Sequence, residues 1–185
     1  MLSVSTPLMK SMITECAANS PLGDYVSWAT EPANTKYVGQ LASDLDASAK
    51  ASGYDYFHEA EFIQSFVGSA IPYEIALVPQ LPAQTLFDSG NCKDKSILYA
   101  SILEALGYKV ALFAFSPITG TTGHEAVGVA FTDKQMTQTA VFPTSTPLSY
   151  YPQNGENYYF AETTTHGWLL GERSLTKPAL VYPLN

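Results

Sequence analysis

The sequence predicts an α+β fold, an antiparallel sheet with helices packed on it. Three observations carry that expectation. Apolar residues recur at helical spacing through the first half of the chain, and that pattern stops at Gly107. Short runs rich in β-branched and aromatic residues fill the second half. The two kinds of segment do not alternate, as they would in a parallel βαβ fold.

Residues 1–34 carry turn signals at Ser20-Pro21-Leu22-Gly23 and Glu31-Pro32-Ala33-Asn34. They are expected to form a helical or irregular extension, with the main domain over residues 35–185. In residues 36–51, Val38, Leu41, Leu45 and Ala49 share one helical face. Residues 58–67 form a second helix with Ala60, Ile63, Phe66 and Val67 inward, closed by Gly68 and Pro72. Residues 71–90 hold three prolines and are expected to be a long connection without regular structure. From Cys92 to Leu106, Ile97, Leu98, Ala100, Ile102, Leu103, Ala105 and Leu106 wrap most of the helix circumference. This third helix should therefore be central and largely buried, and Gly107 terminates it. Strands are expected at Lys109–Phe115, His124–Phe131, Thr139–Phe142, Tyr158–Glu162 and Leu180–Tyr182.

The 185 residues, 46% of them hydrophobic, suffice for one domain with a real core. The net charge of −8, without any cluster of Lys and Arg, argues against nucleic-acid binding. No stretch approaches the roughly 20 apolar residues of a membrane span, so membrane insertion is not expected. Residues 1–20 lack the apolar run of a secretory leader. Low lysine content, 12 tyrosines and abundant Ser and Thr fit an extracellular or cell-surface setting. Cys16 and Cys92 make no zinc pattern, and no Asp-x-Asp-x-Asp-Gly calcium loop occurs, so the sequence calls for no metal and no cofactor. A Cys16–Cys92 disulfide stays open as a structural alternative.

Cys92 is the residue on which function turns. Asn91 is a good N-cap and Asp94 stands three positions on, which resembles a capping box with Asp for Glu. Cys92 is then the first helical residue. The positive end of the helix dipole and its unpaired N–H groups favour a thiolate and lower the thiol pKa below its free value of ~8.5. The competing reading is a small buried hydrophobe. A nucleophilic Cys needs a base. Of three histidines, His58 opens an amphipathic helix and is expected on a solvated face, and His166 falls in a loop. His124 begins a strand whose alternation puts Ala126, Gly128 and Ala130 on its face. Those small residues would let the Cys92 helix pack closely there and bring thiol and imidazole together. Glu162 closes an apolar and aromatic strand, where a carboxylate is costly to bury without a partner. Set beside the His124 strand, it can accept from the imidazole and fix its tautomer. Taken singly, a structural histidine and an exposed strand-end glutamate are the alternatives.

The stretches LPAQTLFDSGNCKDKSILYASILEALGYKVALFAF, GHEAVGVAF and YYFAETTTHGWLLGE resemble the transglutaminase-like superfamily, its prokaryotic members above all. There a Gly-x-Cys-x-Asp motif opens a helix, a His starts a strand, and an acidic residue followed by Thr lies on the next. FIQSFVGSAIPYE is similar to the helix and Tyr-containing turn that precede the Cys loop in that family. The resemblance spans about residues 36 to 183. It implies a papain-like α+β arrangement, Cys92 as nucleophile, His124 as general base and acid, and Glu162 as the group orienting His124. The family often has Asp in the third place and, among close relatives, Asp where Asn91 stands. Papain's own flanking pattern is absent, since Lys93-Asp94-Lys95 follow Cys92. The oxyanion donors expected are the Cys92 backbone N–H and the side chain of Gln64 or Gln84, Gln64 being favoured. Asp94 is expected to cap the helix, and Trp168 to pack beside the site or in the core. The implied activity is thiol-dependent acyl transfer at an amide bond, foremost hydrolysis of a peptide or isopeptide bond in a peptide or protein substrate. A cross-linking transglutaminase and a catalytically silent scaffold are the alternatives.

Overall fold

The computed structural model describes residues 25–30, 32–75, 80–116, 123–132, 134–135, 148–172 and 177–184. Helices come first: α1 (Tyr25–Thr30), α2 (Pro32–Ala51), α3 (Tyr56–Ala70), α4 (Pro82–Phe87) and α5 (Cys92–Ala105). Strands follow: β1 (Lys109–Phe115), β2 (His124–Ala130), β3 (Tyr150–Gln153), β4 (Glu156–Ala161) and β5 (Leu180–Pro183). They form one antiparallel sheet in the order β3-β4-β2-β1-β5. The α+β class expected from the order of elements is the class observed.

Helix α5 is the centre of the molecule. Every residue from Asp94 to Leu103 is buried. Its start is fixed by the capping box: Asn91 Oδ1 accepts from the Lys93 and Asp94 N–H groups at 3.0 and 3.4 Å, and Asp94 Oδ2 accepts from the Asn91 N–H at 3.1 Å. Its end is the left-handed Gly107, with φ +81°. Around α5 pack Val38, Leu41 and Leu45 of α2 and Ala60, Ile63 and Val67 of α3, the faces read from their spacing. Phe66 is only partly buried against this cluster.

The sheet has two covered faces. Val110, Leu112, Val127, Val129 and Ala161 join the helices in the main core. Ala111, Phe113, Phe115, Ala126, Ala130, Tyr158 and Phe160 make a second cluster on the opposite face. The alternation along β2 was read correctly, but its two faces are exchanged relative to expectation. The Val127 and Val129 face meets the helices, and the small-residue face meets aromatic rings. Gly128 shows why the residues there are small. A Cβ at this position would lie 2.2 Å from Phe113 Cζ and 2.7 Å from Tyr158 Cβ.

Other boundaries differ too. Trp28 and Ala29 of α1 belong to the main core, and Asn34 Nδ2 donates to Trp28 O at 2.6 Å. The expected boundary after residue 34 therefore falls inside α2. The connection 71–90 contains the short helix α4, entered through Pro82, whose missing N–H costs nothing at a first helical position. Strand β3 was not foreseen. It joins β4 through Asn154 and Gly155, both at positive φ (51° and 82°), the geometry of a tight hairpin turn. Pro152 is tolerated because β3 is an edge strand. The strand expected at Thr139–Phe142 lies outside the described residues. No helix among the described residues is long and apolar enough to cross a membrane.

Gly128→Ala must displace rings that are themselves packed on Tyr151 and Phe115. The expected result is a loss of about 1–3 kcal/mol in urea denaturation, typical of overpacking, with an unchanged m-value.

Candidate active site

Three elements deliver the three side chains. Cys92 is the first residue of α5, His124 the first of β2, and Glu162 the first residue after β4. In the β2–β4 register Val127 opposes Ala161. One step further sets Glu162 beside Ala126, two residues from His124 and on the same face. The imidazole leans on Phe115, with ring centroids 6.2 Å apart. The Cys92 helix does pack on β2, but on its Val127 and Val129 face and not on the small-residue face that was expected to bring thiol and imidazole together. The two meet at the end of the sheet, where the helix N-terminus on one side reaches the first residue of β2.

The contacts form a chain. The Cys92 thiol and the His124 ring stand close enough for each to shift the other's pKa toward the charged form. His124 Nε2 stands 3.0 Å from Glu162 Oε2. A carboxylate only accepts, so Nε2 carries the proton and Nδ1 is left for the thiol. Glu162 is buried at 1% exposure, and its second oxygen accepts from the Thr164 N–H at 3.0 Å and the Thr164 hydroxyl at 2.7 Å. The Glu125 backbone N–H lies near enough to Cys92 to favour its thiolate.

These contacts set the charges. Burial opposes the Cys92 thiolate, but the His124 hydrogen bond, the Glu125 N–H and the imidazolium charge outweigh it and lower the thiol pKa. Burial likewise opposes the His124 cation. Hydrogen bonds to Cys92 and Glu162, with their charges, lift it to about 9. Glu162 is held below its ordinary value, burial being outweighed chiefly by the His124 hydrogen bond. The set is a thiolate–imidazolium pair backed by a carboxylate. Beside it, burial raises Glu125 to about 7, opposed by Lys93 and His124 and assisted by Asp94.

The remaining candidates fall as follows. Cys92 is a free thiol, and Cys16 lies outside the described residues. The Cys92 backbone N–H is at the site, at the first position of α5. Gln64 is not an oxyanion donor. Its Nε2 donates to Glu162 O at 3.0 Å and Trp168 O at 3.3 Å, so the amide secures the segment after β4. Gln84 is half-buried within α4. Asp94 caps α5 and also accepts from the Gln80 N–H at 2.9 Å. His58 pairs with Asp55 at 2.8 Å and is half-buried, not on a freely solvated face, while His166 is exposed. Trp168 lines a cavity of about 290 Å³ with Tyr54, His58, Glu61 and Phe62. Among the described residues no group of three or more His, Cys, Asp and Glu side chains is placed to hold a metal.

Lys95 was not foreseen as part of the site. Its side chain is fully buried, one turn beyond Cys92, and Nζ donates to Gly68 O at 3.3 Å, Ile71 O at 2.8 Å and Thr164 O at 3.2 Å. Burial draws it down to about 8, and the charge of Glu162 works the other way, so it is cationic at neutral pH. One ammonium thereby joins the Cys92 helix, the end of α3 and the segment that carries Glu162. Gly68 lets that segment come close, since a Cβ there would lie 2.8 Å from Thr165 O.

No family model, no curated protein and no solved structure matches the chain.

Lys95→Met leaves three inward carbonyls without their donor. The expected cost is about 1–3 kcal/mol in chemical denaturation. The thermally folded variant should also alkylate more slowly at Cys92, as Glu162 loses its fixed position.

Proposed function

We propose that the protein is a cysteine-dependent acyl-transfer enzyme that hydrolyses a peptide or isopeptide bond through Cys92, His124 and Glu162. The observation that carries this is the 3.0 Å link between His124 Nε2 and the buried Glu162 carboxylate, with the Cys92 thiol near enough to the same ring for each to favour the other's charge. Such a chain matches the demands of nucleophilic catalysis: an activated nucleophile, a base within reach, and a third group holding the base. Membership of the transglutaminase-like superfamily, with its papain-like arrangement, is part of the same proposal. It rests on Gly90-x-Cys92-x-Asp94, on His124 at a strand start, and on Glu162 followed by Thr163. The central helix packed on an antiparallel sheet is compatible with it.

In this reading the Cys92 thiolate attacks the amide carbonyl, and the His124 imidazolium protonates the departing amine. Water, deprotonated by His124, then resolves the thioester. Glu162 keeps the ring oriented throughout and stabilises its positive charge. An amine in place of water would give a cross-link.

The test is the pH dependence of iodoacetamide alkylation of Cys92 in a Cys16→Ser background. A lowered thiol pKa keeps thiolate present below pH ~8.5, so alkylation should persist there. His124→Ala removes the largest lowering influence and leaves the Glu125 N–H alone against burial, which raises it. The profile should then move to higher pH, with about tenfold or greater loss of rate at pH 7. A free-thiol profile indifferent to His124 would leave a scaffold without chemistry. Incubation with an activated ester and n-butylamine separates the two acyl acceptors: free acid marks hydrolysis, and butylamide marks cross-linking.

A further inference from the structure

We propose that the cavity beside Trp168 binds the ammonium-bearing side chain of a lysine in a peptide or protein partner, between its aromatic rings and the Glu61 carboxylate. The inference goes beyond the acyl-transfer reading and stands whether or not Cys92 reacts. The cavity holds about 290 Å³, near the small end of the ~300–1,000 Å³ range of ligand sites. That size suits one side chain.

His58, Glu61, Phe62 and Ser65 recur at helical spacing and make the α3 side of the cavity. Tyr54 and Phe62 pack into one aromatic wall, with ring centroids 5.9 Å apart, and Trp168 adds a third ring to the lining. Gly167, at φ +88°, turns the chain so that Trp168 and Leu169 close the other side. Gln64 donates to Trp168 O at 3.3 Å and to Glu162 O at 3.0 Å, so this wall belongs to the same hydrogen-bonded unit as the candidate active site.

Glu61 is the polar anchor. Its Oε1 accepts from the Leu170 N–H at 3.1 Å, which fixes the side chain. No other hydrogen bond reaches Glu61 among the described residues, so Oε2 can accept from a ligand. The charge available to the His58 ring is matched by Asp55, 2.8 Å away. Glu172, which accepts from the Leu169 N–H at 2.9 Å, adds negative charge nearby. No Lys or Arg lines the cavity, and the chain as a whole carries −8. Burial is the main influence raising the Glu61 pKa, a cost that a bound cation offsets.

These features select the ligand. Ring faces are electron-rich and attract cations. The open carboxylate oxygen needs a donor, and a quaternary ammonium has none. A guanidinium prefers both oxygens of a carboxylate, and one is already taken by Leu170. A lysine fits all three conditions, with methylenes against the rings and N–H groups on Glu61.

The test is an amide NMR titration of the protein with Nα-acetyl-lysine methylamide, read at the Leu170 N–H and the Trp168 indole N–H. Both signals should shift and saturate, with a Kd on the order of 1 mM. The norleucine analogue, the same stem without the ammonium, should bind about tenfold more weakly or worse. Glu61→Gln keeps an acceptor for the Leu170 N–H and should weaken lysine binding by a similar factor. Ser65→Lys, at an exposed position, supplies the chain's own ammonium and should abolish the shifts. Equal binding of norleucine would make this a merely apolar pocket. Tighter binding of the Nε-trimethylated analogue would leave the rings without the carboxylate as the basis of recognition. Equal binding of n-butylamine would assign the cavity to free amines. Each of those outcomes, the absence of any saturable shift, or indifference to Glu61→Gln overturns the proposal.

Discussion

Glu162 is a carboxylate buried at 1% exposure, and the organisation of the site follows from that fact. A buried charge is tolerable only when its oxygens are fully occupied by donors. One oxygen has the imidazole of His124, and the other has the N–H and hydroxyl of Thr164. To keep those donors in place the segment after β4 must be immobile. It is tied to α3 by Gln64 and to α5 by Lys95, and Gly68 permits the close approach. The acid therefore recruits two helices as well as a histidine, and the histidine in turn sets the charge of Cys92.

That arrangement divides the labour between backbone and side chains. The protonation states of Cys92 and His124 depend on each other, since each is held charged by its partner against the cost of burial. The backbone adds an influence that has no charge to lose, the Glu125 N–H near the sulfur. The acidic character of the whole chain adds little here. The nearest excess carboxyl, Glu125, is itself pushed up to about 7 by burial, so it opposes the thiolate less than a fully ionised group would.

Much of this was legible in residue order. The Asn91 and Asp94 pair marks the start of α5, and the apolar wrap from Ile97 to Leu106 marks its burial, because capping and periodicity are local signals. The strand starting at His124 and the one ending near Glu162 were legible for the same reason. The face that β2 turns to the helices was not. Small residues admit any close neighbour, and nothing in HEAVGVA says whether that neighbour is a helix or a pair of rings on Phe113 and Tyr158. Gln64 was assigned to the wrong partner because an amide on an apolar helix shows need of a hydrogen bond without showing where. Strand β3 had a readable signal in Asn154-Gly155 between tyrosine-rich runs, a strong hairpin mark that was passed over. The reach of Lys95 arises from tertiary placement, which no local pattern announces.

The strand order β3-β4-β2-β1-β5 also bears on how the thiol behaves while the chain is being made. Cys92 leaves the ribosome ahead of both His124 and Glu162. Until β4 has docked on β2, the imidazole has no acid behind it. The outer position next to β1 is filled only when β5, from the far end of the chain, arrives. The surroundings of Cys92 are thus completed only when strands from later in the chain have docked.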